Sequence, residues 1–162
     1  MMRQSILLWS TLGAILADQA SKYVVVHGMS LAQRQVIDVL PPLLTFRYGE
    51  NRGINFGLFN ADGDVQRWVL IGFSALVVMG VAIWVIRSRA TWFVQLCAGL
   101  LIGGALGNVL DRVLYGYVLD FLNMSCCGIQ NPFVFNVADI FIFAGAAGLV
   151  LADLGSPRKK AT

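Results

Sequence analysis

Residues 99–112 read GLLIGGALGNVLDR, and this stretch contains the pattern that decides the fold. Gly99, Gly103 and Gly107 recur every four residues, so a helix would carry all three on one face. Inside a membrane, a double GxxxG stripe of this kind lets a second helix approach closely. The stretch ends in polar side chains, namely Asn108, Asp111 and Arg112. The pattern therefore predicts a closely packed helix with polar groups at one end.

The composition of the chain indicates a membrane protein. Of its 162 residues, 57% are hydrophobic and only 13% are charged, whereas soluble domains carry about 25% charged residues. Four apolar stretches are long enough to cross about 30 Å of hydrocarbon as helices: residues 5–26, 68–86, 92–112 and 133–154. We therefore predict an all-α membrane protein, a single domain over residues 1–162 built on a four-transmembrane-helix bundle. No A-x-A cleavage site follows the first stretch, so we expect that helix to be retained.

The positions of the basic residues predict the orientation of the bundle. Cytoplasmic segments carry an excess of lysine and arginine. Six basic residues fall on one side of the predicted helices: Arg3, Arg87, Arg89, Arg158, Lys159 and Lys160. Both termini are therefore predicted to be cytoplasmic, with external segments at residues 27–67 and 113–132. This orientation accounts for the basic residues, so the net charge of +3 does not indicate a nucleic-acid partner.

The external segments differ in what their sequences predict. Residues 45–48 alternate apolar and polar side chains, which predicts a strand in a small external β-structure. Residues 113–132 show no pattern that predicts their structure.

Cysteine and histidine usage disfavours several kinds of site. Cys126 and Cys127 are adjacent, a poor arrangement for an ordinary disulfide because neighbouring side chains diverge. Cys97 falls in an apolar helix, and His27 is the only histidine. A zinc site of the usual Cys/His type is therefore disfavoured, as is a nucleophilic site that needs histidine. We expect neither a metal nor a cofactor.

Polar residues inside the apolar stretches are the main indication of a functional site. A charge near the bilayer centre costs roughly 2.5–3.5 kcal/mol on insertion scales, so it needs a partner or a function. Asp18 and Asp139 are predicted to lie roughly 12 Å and 9 Å from the outer ends of their helices. Asn108 and its polar neighbours lie at the outer end of the third helix. Three helices thus carry polar groups at a similar depth, which favours one shared site.

Spacing leaves alternative roles open for most of these residues. Asp18 and Lys22 are four residues apart, and a stabilising pair fits this spacing as well as a functional one. Asp111 and Arg112 favour a structural ion pair or an interfacial anchor over a catalytic role. Asn136, three residues before an aspartate, fits either a helix cap or a bridging role.

Asp139 is the acid that a structural role explains least well. It has no basic residue within one helical turn and lies in an apolar run, so we hypothesise a functional role for it. Its natural partner would be a second acid near the same depth, and Asp120 is a candidate. From spacing alone, however, an ordinary loop acid is the better interpretation of Asp120.

At these residues the chain resembles lipoprotein signal peptidase, also called signal peptidase II. Four blocks carry the resemblance, in the order of that family: residues 18–22 (DQASK), 51–53 (NRG) with 56–57 (FG), 103–112 (GGALGNVLDR) continuing through 116–121 (GYVLDF), and 135–139 (FNVAD). Each block alone is a weak signal, whereas the four together, in that order, are highly specific.

The resemblance implies an intramembrane aspartyl endopeptidase of the bacterial cytoplasmic (inner) membrane. Such an enzyme removes the signal peptide of a prolipoprotein just before a diacylglyceryl-modified cysteine, and globomycin-type cyclic peptides inhibit it. By position, Asp120 and Asp139 would form the catalytic dyad, near the periplasmic leaflet. Substrate-binding or supporting roles would fall to Asp18, Lys22, Asn51, Gly53, Asn108, Asp111, Arg112 and Asn136. The family also implies an external β-cradle at residues 27–67 and a short helical flap at residues 113–132.

The dyad implies a mechanism in which two nearby carboxyl groups share a proton. One would be ionised and deprotonate a water, while the other would be protonated and polarise the scissile carbonyl. The sequence leaves open which of Asp120 and Asp139 is ionised and which is protonated.

Two departures from the family pattern bear on substrate preference. Ile54 and Asn55 stand where the family commonly has two small residues, and residues 123–132, with the cysteine pair, lack the aromatic residues expected there. Neither departure involves the proposed dyad.

Three other functions compete with a protease. A small ion-coupled transporter would also contain intramembrane acids, but the polar residues stay near the outer surface, apart from Gln95 and Ser74. A non-catalytic membrane assembly protein would use the glycine stripe but leaves Asp139 unexplained. A metal-assisted hydrolase would use the acids as ligands.

Overall fold

The computed structural model describes residues 3–53, 63–88, 90–129 and 131–155, and within them four long helices support one small sheet. The long helices are α1 (Arg3–Lys22), α3 (Gly63–Arg87), α4 (Trp92–Tyr115) and α5 (Val137–Leu154). Helix α1 continues into a π-helical turn, Tyr23–Gly28, which is followed by the short helix α2 (Leu31–Arg34). The strands are β1 (Val36–Leu40), β2 (Leu44–Asn51) and β3 (Val118–Met124).

Three helices of the described chain are long and apolar enough to cross a membrane: Asp64–Arg87, Trp92–Tyr115 and Val137–Leu154. They correspond to the second, third and fourth predicted spans. Helix α1 is not among these three helices, so its role as a fourth span stays a prediction. The most apolar of the three, α3, is almost entirely uncovered by the rest of the described chain. Lipid is the natural cover for such a surface.

Helix α4 packs against the three other long helices. Its predicted glycine stripe faces α1, since Gly99 lies against Leu7 and Ser10 while Gly103 lies against Thr11 and Ala14. A Cβ atom at Gly103 would lie only 2.6 Å from the Ala14 Cβ atom. The structure thus confirms that the stripe admits a neighbouring helix.

A second set of small residues brings α5 against another side of α4. Gly104 of α4 lies against the backbone of Ala138, and Gly145 and Gly148 of α5 lie against Cys97. Gly104 and Gly145 meet the backbone of the other helix directly, and Gly148 makes room for the Cys97 side chain, so α4 and α5 pack closely.

The three strands form an antiparallel sheet in the order β1-β2-β3. The alternating residues 45–48 lie in β2, the central strand, as the sequence predicted. Strand β3 follows α4 directly because Gly116, at φ +86°, ends the helix in the left-handed conformation. Phe121 of β3 packs with Val25 and Leu31 into a buried apolar cluster. This cluster joins the sheet to the end of α1.

The helical flap expected at residues 113–132 is not what the described part of that segment contains. After the end of α4 at Tyr115, the segment forms β3 and a turn. The strand is favoured because both of its edges find partners: β2 on one side, and Phe135 on the other through a bridge to Leu122. The expectation of a helix in this segment was therefore wrong.

The sequence disfavoured an ordinary disulfide between Cys126 and Cys127 and left their redox state open. The structure joins them as a vicinal disulfide. The chain turns tightly here, with positive φ at Cys127 and Gly128, and the Ile129 N–H donates to the Cys126 carbonyl at 2.9 Å. In such a turn, neighbouring side chains do not diverge as they do in extended chain.

Several residues singled out in the sequence lie outside the described part of the chain. They are Ile54, Asn55, Phe56, Gly57, Arg89, Arg158, Lys159 and Lys160.

Replacement of Gly103 by alanine tests the close approach of α1 and α4. The added methyl group would overlap Ala14 and the Thr11 carbonyl, so we expect Gly103→Ala to lower the free energy of unfolding by about 1–3 kcal/mol. Thermal unfolding in detergent micelles measures this. Gly13→Ala is the matched control, because a Cβ there would meet nothing within 4 Å. Equal stability of the two variants would contradict the packing described here.

Candidate active site

Asn136 positions Asp139 by capping helix α5. The Asn136 side chain accepts a hydrogen bond from the Asp139 N–H at 3.0 Å, and the Asp139 carboxylate accepts one from the Asn136 N–H at 3.3 Å. This reciprocal pair is a capping box. Asp139 therefore lies in the first helical turn, and the predicted helix start at residue 133 was wrong. The reason is that Phe135 pairs with β3, which keeps the chain extended up to the cap.

Asp120 lies in the middle of β3 and is only 3% exposed. One carboxylate oxygen accepts a hydrogen bond from the Asn136 side-chain amide at 2.6 Å, and the other accepts one from the Asn51 amide at 3.0 Å. The interpretation of Asp120 as an ordinary loop acid was therefore wrong. Asp120 and Asp139 both bond to Asn136, so the cap residue links the two acids.

Asn51 reaches Asp120 because the chain turns sharply after β2. The Asn51 side-chain oxygen accepts a hydrogen bond from the Gly53 N–H at 3.0 Å, which orients the amide group toward Asp120. Gly53 has φ +99°, and a Cβ atom there would lie 2.7 Å from Leu70 Cδ1 of α3. Only glycine adopts this conformation without strain in this space. Asn51 and Gly53, both expected at the site, thus have explicit structural roles.

Asn108 completes the connection between the two acids. Its amide group donates to Asp139 at 2.9 Å, and its oxygen accepts from Asn136 at 3.1 Å. The Asn136 amide thus donates to both Asn108 and Asp120. The three asparagines hold the two carboxyl groups in one hydrogen-bonded network.

A buried cluster of charges lies directly behind this network. Lys22 Nζ lies 2.7 Å from Asp18 Oδ2 and 2.7 Å from Asp111 Oδ2, and all three side chains are almost wholly buried. The pairing of Asp18 with Lys22 within α1, which their spacing allowed, is confirmed. Asp111 does form a structural ion pair, but with Lys22 instead of Arg112, since consecutive helical residues point in different directions and Asp111 faces α1. We call these three residues the charge triad.

Gln19 is a site residue that the sequence reasoning missed. Its amide donates to Asp111 Oδ1 at 2.9 Å and to Asp18 Oδ2 at 3.1 Å. It lies inside the block 18–22 that carried the family resemblance and is one of the polar residues that interrupt the first apolar stretch. The sequence reasoning gave it no role, because it carries no charge.

Arg112 lies on the side of α4 that approaches the two acids. Its guanidinium group interacts electrostatically with Asp120, Asp139 and Asp111, and one of its terminal nitrogens donates to the Asn108 carbonyl at 3.3 Å. Its Nε atom is buried and has no hydrogen-bond partner in the described part of the chain. Arg112 therefore retains donor capacity at the edge of the site.

Burial raises the pKa of Asp120 to about 6. The loss of water around the carboxylate is the largest cause and outweighs the hydrogen bonds from Asn51 and Asn136, which favour the charged form. The negative charge of Asp139 acts in the same direction as burial, while Lys22 opposes it. Asp120 thus holds a proton more readily than an exposed aspartate does.

A largely apolar cavity of about 620 Å³ opens beside Asp139. Ile140, Phe143 and Ala144 of α5 line it together with Phe135. Asp139 therefore lies at the edge of a space that suits an apolar ligand. Within the described ranges, no group of three or more His, Cys, Asp or Glu residues is arranged to hold a metal ion.

The family model described as Signal peptidase (SPase) II matches residues 10–154. The chain belongs to the signal peptidase II family. Membership makes it a peptidase, in agreement with the resemblance seen in the sequence.

Curated relatives of the signal peptidase II family align over nearly the whole chain. Lipoprotein signal peptidase from Methylorubrum extorquens is 38% identical over 156 residues, which cover 96% of this chain and 90% of the relative. The protein of the same name from Caulobacter vibrioides is 40% identical over 148 residues, which cover 90% and 84%.

Solved structures of bacterial membrane enzymes have a similar fold. One, determined by the in meso method at 2.3 Å resolution, has a TM-score of 0.75 and 25% identity, over 96% of this chain and 94% of the other. A second, at 1.9 Å resolution, has a TM-score of 0.80 and 24% identity, over 93% and 94%. The second likeness shows the fold alone.

Variants at Asn136 separate its capping role from its contact with Asp120. Asn136→Ala removes the cap, which costs about 0.5–2 kcal/mol, and leaves buried polar partners unsatisfied, which costs about 1–3 kcal/mol more. Asn136→Ser keeps a good capping group that is too short to reach Asp120, so we expect it to lose less stability. Thermal unfolding in detergent measures which of the two variants loses more stability. Equal losses in both variants would show that the cap contributes nothing.

Proposed function

We propose that this signal peptidase II is an aspartyl endopeptidase of the bacterial cytoplasmic membrane, with Asp120 and Asp139 as its catalytic dyad. The observation that carries the proposal is that both acids bond to one buried residue, Asn136. Carboxyl groups held this near to each other share a proton instead of ionising together. Such a pair is the catalytic device of aspartic proteases.

The environments of the two acids assign them different roles. Asp120 is buried, and its raised pKa makes it the member that holds the proton. Asp139 lies in the first turn of α5, where the helix dipole favours a negative charge. Asp139 therefore acts as the base and takes a proton from the attacking water. Asp120 donates its proton to the scissile carbonyl oxygen as the new carbon–oxygen bond forms.

Collapse of the resulting tetrahedral intermediate completes the reaction. The carbon–nitrogen bond breaks as the leaving nitrogen takes the proton that Asp139 removed from water. Asp120 recovers its proton from the hydroxyl that becomes the new carboxyl group. Arg112 lies near both acids with an unused donor, so it is suited to hold the substrate backbone or the developing oxyanion.

The substrate we propose is a prolipoprotein with a diacylglyceryl-modified cysteine, cut just before that cysteine. Two observations support it: curated relatives are called lipoprotein signal peptidases, and an apolar cavity opens beside Asp139. Acyl chains hold the substrate in the membrane with about 0.8 kcal/mol per buried CH₂ group. If both termini are cytoplasmic, the dyad lies near the periplasmic leaflet and meets the substrate there. Globomycin-type cyclic peptides would occupy the same space.

An ion-coupled transporter is a poorer fit to the same residues. Between Gln95 and Asn108, α4 carries only apolar residues and glycines, so this helix provides no polar path toward its other end. The polar groups of the site bond mainly to one another, as they would in a preorganised catalytic centre.

Single substitutions of the two acids test the dyad. Asp120→Asn and Asp139→Asn keep the size and shape of the side chain but cannot exchange the proton, so we expect cleavage to be abolished while the protein still folds. A gel shift of purified diacylglyceryl-modified prolipoprotein measures cleavage. Asp38→Asn, at an exposed acid in β1, is the matched control and should cleave normally. Undiminished cleavage by either dyad variant would reject the proposal.

The pH dependence of cleavage tests the assignment of the proton to Asp120. The pKa of Asp120 is raised to about 6, so its protonated form is lost as the pH rises through that value. Because kcat/KM reports the ionisation of the free enzyme, we expect it to fall as the pH rises through about 6. Circular dichroism over the same range checks that the protein stays folded. A kcat/KM that stays constant between about pH 5 and pH 8 would contradict the assignment.

A further inference from the structure

Asp18 binds the backbone next to one of the two proposed catalytic acids. Its Oδ1 atom accepts a hydrogen bond from the Ala138 N–H at 2.9 Å, while its Oδ2 atom faces Lys22. Ala138 immediately precedes Asp139, and its N–H lies in the first turn of α5, where no helical partner is present. Asp18 thus holds the start of the segment that carries Asp139.

Asp111 binds the backbone next to the other proposed catalytic acid, Asp120. Its Oδ2 atom accepts a hydrogen bond from the Leu119 N–H at 3.1 Å and also faces Lys22. Leu119 immediately precedes Asp120 in β3. Each of the two buried carboxylates therefore holds the residue just before one member of the dyad.

Lys22 lies between the carboxylates of Asp18 and Asp111 and binds both of them. An ammonium group has three protons to donate, and the Lys22 ammonium lies 2.7 Å from Asp18, 2.7 Å from Asp111 and 3.4 Å from the Asn108 oxygen. No donor is left for a substrate. Lys22 therefore acts on the two carboxylates and on Asn108, not on a substrate.

We propose that the charge triad Asp18–Lys22–Asp111 is a positioning clamp that sets the separation of the two dyad-bearing backbone segments. This inference rests on the proposed function, because it takes Asp120 and Asp139 as the reacting pair. Asp18 fixes the segment of Asp139, Asp111 fixes the segment of Asp120, and Lys22 holds both carboxylates together. All three are positioning residues: Asp18 and Asp111 act on the dyad through backbone N–H groups, and Lys22 acts through the two carboxylates.

A role in stability alone does not account for this arrangement. The triad carries two negative charges and one positive charge, and apolar replacements of buried ion pairs are often neutral or even stabilising. An apolar contact would join α1 and α4 equally well. What apolar side chains cannot supply is two acceptors aimed at the N–H groups beside the two acids.

The expected consequence of losing one acceptor is misplacement of one acid relative to the other. Displacement by about 1 Å in an active site lowers turnover by about 100-fold. We therefore expect Asp18→Ala and Asp111→Ala each to lower kcat by about 100-fold with KM within about two-fold. Asp18→Asn and Asp111→Asn keep an oxygen that can accept the N–H, so they should recover a large part of kcat.

Hydrogen exchange supplies a measurement that does not depend on cleavage. On the full-length protein in detergent, Asp18→Ala should speed exchange in peptides containing Ala138, and Asp111→Ala in those containing Leu119. Each variant should leave the other segment protected. The stability control is Gly99→Ala, which loosens the same helix pair far from the triad, because a Cβ there would lie 2.9 Å from the Leu7 carbonyl oxygen.

The results of these experiments test the clamp and the proposed catalytic function independently. The clamp is supported if the alanine variants lose kcat and local protection, the asparagine variants regain them, and Gly99→Ala changes only stability. It is overturned if the alanine variants turn over diacylglyceryl-modified prolipoprotein as fast per folded molecule as wild type does, or if exchange increases uniformly. Cleavage that survives in Asp120→Asn or Asp139→Asn would overturn the proposed function instead, whatever the triad variants do.

Discussion

Close packing of α1 against α4 makes both the buried charges and the candidate site possible. Gly107 has no side chain, and a Cβ atom there would lie 2.7 Å from Asp18 Oδ2. This absence lets the carboxylate of Asp18 lie against α4, where it shares Lys22 with Asp111. The glycine stripe therefore does more than pack two helices, because it makes room for charges that would otherwise be unpaired in an apolar medium.

Hydrogen bonds continue from the charge triad to the two proposed catalytic acids. A buried polar group without a partner costs more than a hydrogen bond contributes, and the network meets this requirement almost completely. The carboxylates of the triad bind backbone N–H groups. Asn136 and Asn108 connect Asp120 with Asp139, and Asn51 bonds to Asp120 from the other side of its carboxylate. Arg112 keeps an unused donor among the described residues. A satisfied network of this kind is rigid, which is the property that a preorganised catalytic site needs.

The small sheet has a structural role that explains its position at the end of the bundle. Strand β3 carries Asp120 and is paired on both edges, so the acid is fixed by backbone hydrogen bonds as well as by its side chain. The pairing of Phe135 with β3 also keeps the chain extended up to Asn136, and this sets where α5 begins. Asp120 and Asp139 thus both reach Asn136 because one strand determines the positions of both segments.

Composition and local spacing predicted the membrane class, the glycine-mediated packing and the strand at residues 45–48. The candidate site residues were predicted from the four blocks of family resemblance, because spacing alone favoured an ordinary loop acid at Asp120 and did not single out Gln19. Tertiary structure alone decided that Asp111 pairs with Lys22, that residues 118–124 are a strand, and that α5 begins at Val137. Those features depend on partners distant in the chain: Lys22 is 89 positions from Asp111, and the strand needs both β2 and Phe135. Spacing along one helix or strand carries no information about such partners, because only packing brings them within hydrogen-bonding distance.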